Sequence, residues 1–124
     1  RRICEGCRQS VKMSSEELLH LHPVISRYFP AKNFNLYKGK GCNTCGKTGY
    51  RGRIALFEII RITPEMEDLI LKNPPTSEIW KLARIQGSRS LFEDGLEKVK
   101  AGITTLEELF RVANPPDETL GGLE

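Results

Sequence analysis

Cys42-Asn43-Thr44-Cys45-Gly46-Lys47-Thr48-Gly49-Tyr50-Arg51-Gly52-Arg53 admits two readings that lead to different folds. With Gly41 in front, it spells G-x-x-x-x-G-K-[ST], the string of a phosphate-binding loop with Lys47 on the terminal phosphates and Thr48 on magnesium. Such a loop needs a buried strand before it and a long helix starting at the Lys-Thr step. Here Thr48 runs into Gly49-Tyr50-Arg51-Gly52, which is turn sequence, so the phosphate-loop reading is set aside. The other reading takes Cys42 and Cys45 as half of a metal knuckle. Its second half is Cys4-Glu5-Gly6-Cys7, with 34 residues between the two pairs. Each Cys-x-x-Cys turn presents two thiolates, and two such turns complete the four-sulfur tetrahedral shell that zinc prefers in structural sites. Disulfide-linked or redox-active pairs and four unligated thiols are the alternatives. Because all four cysteines are used, in matched pairs, Cys4, Cys7, Cys42 and Cys45 are taken as ligands of a structural zinc. Gly46 is expected to turn backbone amides toward one of the sulfurs.

The rest of the composition bounds what surrounds this knuckle. At 124 residues, 39% hydrophobic and 28% charged, the chain fits one ordinary domain or a metal module plus a helical one. No apolar run approaches the ~18 residues that span a bilayer. The formal charge of +3 conceals an asymmetry: residues 1–53 carry eleven Lys/Arg against three Asp/Glu, residues 54–124 eight against thirteen. The opening Arg1-Arg2-Ile3-Cys4 has neither an initiator Met nor an apolar leader, and reads as a portion of a longer cytoplasmic protein.

Between the cysteine pairs, Ser14-x-x-Glu17 is a capping box, and Pro23 interrupts the apolar pattern, so a short helix or two helical turns are expected there. Phe34, Leu36 and Tyr37 predict a strand toward Gly39. Arg53 to Ile62 (RIALFEIIRI) is apolar except for Glu58 and the flanking arginines, and predicts a strand covered on both faces. Glu58, if buried there, would need a cation such as Arg53 or Arg61. Four helices are then predicted. Thr63-Pro64 opens the first, Thr76 or Ser77 caps the second, Ser90-x-x-Glu93 starts the third and Thr105-x-x-Glu108 the fourth. Gly87 and Gly102 are stops. The expected fold is α+β, mostly α: a small zinc-knuckle module with short strands over 1–53, a strand plus helical domain over 54–114, and a disordered tail over 115–124.

Lys38, Lys40, Lys47, Arg51 and Arg53 surround the second knuckle, interleaved with Tyr37 and Tyr50. They form a candidate interaction surface for an acidic protein; a zinc-ribbon nucleic-acid binder is the alternative, weakened because the aromatics do not line a strand face as a stacking platform would. His20 and His22 lack partners at ligand spacing, Trp80 reads as a packing residue, and no catalytic constellation stands out.

At Cys42-x-x-Cys45-x-x-Thr48-Gly49-Tyr50-Arg51-Gly52-Arg53, then Ile54-Ala55-Leu56-Phe57-Glu58, the chain resembles the C-terminal part of the type II secretion and type IV pilus assembly ATPases. The likeness continues through Ser90-Leu91-Phe92-Glu93-Asp94-Gly95-Leu96 and Val99-Lys100-Ala101-Gly102-Ile103-Thr104-Thr105-Leu106-Glu107-Glu108-Leu109. This resemblance implies that the four cysteines are the family's zinc ligands. It also implies a parent that forms a hexamer, hydrolyses ATP with magnesium through elements upstream of this stretch, and works at the cytoplasmic face of the inner membrane. Its partners would be the rest of the ATPase, neighbouring subunits and inner-membrane platform proteins.

Overall fold

Arg8–Ser14 (β1) and Asn33–Gly39 (β2) form an antiparallel pair in which Arg8 faces Gly39 and Ser14 faces Asn33. Met13, Phe34 and Leu36 from this ribbon pack against the hydrophobic core. β2 is the expected strand. β1 has no counterpart among the expected elements, because its sequence offers only Val11 and Met13 as apolar alternation. The computed structural model describes residues 1–115; the predicted tail lies outside the described residues from Pro116 onward.

The connection from β1 to β2 is helical, as the insert's pattern predicts. Ser14 ends β1 and caps α1 (Ser15–Leu21): its hydroxyl accepts from the Glu17 amide, and the Glu17 carboxylate accepts from the Ser14 amide. A 3₁₀ helix, Pro23–Tyr28, follows. Leu18 and Ile25 have no exposed surface and Phe29 is nearly as buried.

Four further helices lie among the described residues: α2 (Pro64–Leu71), α3 (Thr76–Ile85), α4 (Leu91–Lys100) and α5 (Leu106–Val112). Thr63, Ser90 and Thr105 cap α2, α4 and α5 through their hydroxyls. The predicted cap of α3 is corrected. Its N-cap is Pro75, with no side-chain capping bond, and Thr76 is already helical. Gly87 and Gly102 do end their helices, each with positive φ and each followed by a residue whose amide reaches back five residues, Ser88 to Ala83 and Ile103 to Lys98.

The main correction concerns Arg53 to Ile62, which is not a strand. A strand needs a neighbour for its ladder, and the two strands among the described residues pair with each other. Leu56 packs against the core, but Phe57, Ile59 and Ile62 are exposed. Glu58 is exposed too, and its carboxylate accepts from the Leu91 amide at 2.9 Å, at the start of α4, so neither Arg53 nor Arg61 is its partner.

One core serves the chain on both sides of residue 53. Leu18, Ile25 and Phe29 pack with Phe92, Leu96, Val99, Leu106 and Leu109. Truncating a residue such as Phe92, with 1% of its surface exposed, would cost about 3–5 kcal/mol.

Candidate metal centre

The β1–β2 register builds the site. Cys7 immediately precedes β1 and Gly41-Cys42 follows β2 by one residue, so pairing Arg8 with Gly39 sets the two turns side by side. The Lys40 amide then donates to the Cys7 carbonyl at 3.0 Å, continuing the ladder into the knuckle. On the other side, the Cys4 amide donates to the Gly49 carbonyl at 2.9 Å. The approach is possible only between glycines: a Cβ on Gly39 would lie 2.0 Å from the Gly49 carbonyl oxygen.

Cys4, Cys7, Cys42 and Cys45 are free, and their sulfurs all lie within 4.8 Å of one another. Individual separations are 3.8 Å for Cys4–Cys42, 3.9 Å for Cys7–Cys45 and 3.7 Å for Cys42–Cys45. A tetrahedral ion with metal–sulfur bonds of about 2.3 Å requires sulfurs about 3.8 Å apart. The cluster therefore can hold a metal ion. Backbone amides supply the outer contacts. Gly41 N–H points at Cys7 Sγ (3.3 Å), and both Cys42 N–H (3.3 Å) and Gly49 N–H (3.2 Å) point at Cys45 Sγ. The turn expected at Gly46, where φ is 63°, thus does aim an amide at a sulfur, and the donor is Gly49, while the Gly46 amide itself donates to the Asn43 carbonyl. The Cys42 amide, aided by Gly49 and opposed by burial, holds the Cys45 thiol down at about 6, whereas burial pushes Cys7 up to about 11. Four converging thiols cannot all ionise easily without a cation among them, which is how such a site couples metal binding to proton release.

The knuckle docks on the loop between α4 and α5. Ile3 N–H donates to the Ile103 carbonyl (2.8 Å), Thr104 Oγ1 to the Arg1 carbonyl (2.7 Å) and Arg8 to the Gly102 carbonyl (3.1 Å). Gly102 lies under the Tyr37 ring, where a Cβ would come within 3.1 Å of it. The Arg1 guanidinium stacks over the Tyr50 ring and also reaches Glu108 Oε1 at 2.7 Å. Glu108 is buried and accepts from Arg111 as well. Hydrogen bonding from Arg1, then from Arg111, outweighs burial and holds its carboxyl well below the usual carboxylate range. Sequence reasoning assigned Thr105 and Glu108 to helix capping and missed this docking role. In sequence, Gly102-Ile103-Thr104-Thr105 reads as an ordinary glycine-led, threonine-rich loop between two helices, and the structure is what shows three of its four residues buried.

A second buried carboxylate, Asp94, ties the 53–62 segment to α4. It accepts from the Phe57 amide at 2.9 Å and from Lys98 at 2.8 Å. Burial pushes its pKa up, but Lys98, the Phe57 amide and Arg89 more than reverse this and leave it lowered. Gly95, next to it, lets α5 approach.

The remaining candidates are dispersed. Lys38, Lys40, Lys47, Arg51 and Arg53 are all exposed and none forms an ion pair among the described residues. His20 is exposed, while His22 packs on Phe110 with ring centres 5.0 Å apart. Trp80 is half-buried at the edge of an apolar groove. In the phosphate-loop string, the Thr48 hydroxyl donates to the Cys45 carbonyl, and the next helix starts only at Pro64.

Fold and site together define a four-cysteine knuckle docked on a small helical array. The chain belongs to the type II/IV secretion system protein family, whose model matches residues 1–111. It is 42% identical over 109 residues to the type IV pilus assembly ATPase PilB of Thermus thermophilus, with 88% of this chain and 12% of the relative aligned. Against PilB of Pseudomonas aeruginosa it is 36% identical, covering 90% of this chain and 19% of the relative. Against a putative type II secretion system protein E of Escherichia coli it is 32% identical, covering 92% and 22%. The chain thus spans only about an eighth to a fifth of these relatives. Among the described residues, no helix is long and apolar enough to cross a membrane.

Proposed function

We propose that this chain is the zinc-binding and helical region of a hexameric ATPase that powers type II protein secretion or type IV pilus assembly at the cytoplasmic face of the inner membrane. In this reading Cys4, Cys7, Cys42 and Cys45 hold one structural zinc. The observation that carries it is the set of sulfur separations near 3.8 Å, formed by two turns 34 residues apart in sequence. An all-thiolate shell with backbone N–H donors to the sulfurs suits zinc, and four protein ligands leave no position for substrate, so the ion acts on the fold rather than on chemistry. Zinc binding to small cysteine sites contributes about 10–16 kcal/mol near neutral pH, against about 5–15 for a whole domain's stability. The glycine-rich turns around the cysteines have few large apolar side chains, and depend on the ion for their order.

ATP and magnesium belong, in this reading, to elements of the longer protein that precede this region. The zinc-binding part (1–53) and the helical part (54–114) brace the motor and meet its neighbours, with Lys38, Lys40, Lys47, Arg51 and Arg53 offered to an acidic protein surface of an adjoining subunit or of the membrane platform. Elemental analysis should find one zinc per chain, and cobalt substitution should give the absorption of a tetrahedral tetrathiolate. A chain purified folded and without metal would refute the zinc assignment. ATP should leave the amide signals of Gly46 to Thr48 unmoved, and shifts there would restore the phosphate-loop reading. Micromolar binding to DNA or RNA at physiological salt, with a steep salt dependence, would instead favour a nucleic-acid partner for the basic face.

A further inference from the structure

Residues 54–62 hold six large apolar side chains in nine positions and make no backbone–backbone hydrogen bond among the described residues. Such a stretch needs water, side chains or another backbone for its N–H and C=O groups, and its composition argues against water. Burial follows a strand's period of two over most of it. Ile54, Leu56 and Ile60 are half-buried, while Ala55, Phe57 and Ile59 are exposed.

In an extended strand the N–H and C=O groups of odd residues lie on one edge and those of even residues on the other. Here the odd edge is held by the chain's own side chains: Phe57 N–H donates to Asp94 Oδ2, and Ser88 Oγ donates to the Ile59 carbonyl, both at 2.9 Å. The even edge has no backbone partner among the described residues. Open clefts of about 680 and 600 Å³ adjoin the segment, the first lined by Ile54 and Leu56 and the second by Glu58 and Ile60.

We propose that residues 54–62 are an edge strand completed by a strand from the remainder of the longer ATPase. That strand pairs along Leu56, Glu58 and Ile60, and the layer packed on the enlarged sheet covers Ala55, Phe57 and Ile59. The proposal rests on the reading of this chain as a region of such a protein. Two observations select this occupant over a second copy. The relatives carry about four-fifths or more of their length outside the matched stretch, and a tethered strand binds at high effective concentration. Further, Arg53 and Arg61 bracket the apolar face, exposed and without ion pairs among the described residues. An antiparallel pair with a second copy centred on Phe57 would set Arg53 opposite Arg61, like charge against like charge. An acidic fringe on the covering layer would match both.

Hydrogen exchange on the 124-residue chain and on the intact longer ATPase, both zinc-loaded, tests this. The amides of Leu56, Glu58 and Ile60 should exchange freely in the chain alone and at least ~100-fold more slowly in the longer protein, as ladder hydrogen bonds require. Phe57→Lys combined with Ile59→Lys should abolish that protection while leaving zinc content and helix content as they were, because both side chains are exposed. Equal exchange in the two contexts overturns the proposal. So does protection in the isolated chain that grows with its concentration, which would assign the edge to a second copy. Zinc content, measured on the same samples, tests the metal reading separately: a metal-free protein with a protected edge would sink that reading and leave this one standing.

Discussion

The phenol of Tyr50 and the hydroxyl of Thr105 meet at 2.8 Å across the seam between the cysteine knuckle and the α4–α5 loop. Thr105 Oγ1 also accepts from the Glu108 amide at 3.1 Å, so one side chain caps α5 and latches the knuckle to it. Order at the cysteine cluster and order in the helices are thereby linked. Tyr50→Phe should lower stability by about 0.5–1.5 kcal/mol, the net worth of one hydrogen bond. Thr105→Val should cost more, because the helix cap goes as well, about 0.5–2 kcal/mol for that part alone. A denaturant-melt double-mutant cycle should return a coupling energy of at least about 0.5 kcal/mol; a coupling of zero would mean the seam bond does nothing.

Glu108 gives the same seam a pH dependence. Its folded-state pKa lies below the unfolded value of about 4.3. The stability it contributes is therefore complete above that unfolded value, and is lost as pH falls through it toward the folded pKa. The stability curve of the unsubstituted chain should slope downward below about pH 5, and Glu108→Gln should flatten that slope. At pH 7 the substitution should cost about 1–2 kcal/mol, less than a fully buried pair would, because Arg1 and Arg111 keep 46% and 58% of their side-chain surface exposed. Unchanged slopes would show that the acid sensitivity arises elsewhere.

The parts of this fold legible in sequence are those fixed by local chemistry. Ser14, Thr63, Ser90 and Thr105 cap helices as their spacing predicts, and the four cysteines converge as their pairing predicts. What was not legible depends on neighbours. β1 is recognisable as a strand only once β2 lies against it. RIALFEIIRI has a strand's composition, but composition does not supply a partner. Asp94 and Glu108 look like ordinary first-turn acids of α4 and α5, and only the chain segments laid over them, residues 53–62 and Arg1, make them buried anchors.

Gly95 sits inside α4, where helix propensity alone favours alanine by about 1 kcal/mol. A Cβ there would lie 2.1 Å from Leu109 Cδ1, and Leu109 is 1% exposed with little room to yield. Overpacking of this kind costs about 1–3 kcal/mol, so the steric term prevails. Gly95→Ala should lower the melting temperature. A Leu109→Ala background should make the same change less harmful, and a stabilising Gly95→Ala in the otherwise unsubstituted chain would contradict the close packing of α4 on α5.

Metal removal should reach further than the cysteine half. Leu18, Ile25 and Phe29 share their core with Phe92 and Leu96, and Ile3 is bonded to Ile103. Chelation should broaden or shift the amide signals of Gly6, Gly41 and Gly49 first, and should also lower the cooperative melting temperature of α4 and α5. Helices melting at the same temperature with and without metal would show the two parts to be energetically separate.

Within the knuckle, Gly49 is the residue on which the most constraints meet. Its amide points at Cys45 Sγ, its φ is 81°, and a Cβ would lie 2.7 Å from the Gly39 carbonyl oxygen. Gly49→Ala must therefore either strain the backbone, at about 1–2 kcal/mol for the left-handed conformation, or pull the amide off the sulfur. Losing such an outer-shell contact typically lowers metal affinity about 10–100-fold. Gly46→Ala is the matched control, because φ is 63° there too, but a Cβ would meet nothing within 4 Å and the amide serves Asn43 instead of a sulfur. Competition against a chromophoric chelator should show a clear loss of affinity for Gly49→Ala and little change for Gly46→Ala. Equal losses in the two variants would trace the effect to backbone strain alone and remove the Gly49 amide from the account of how Cys45 is held.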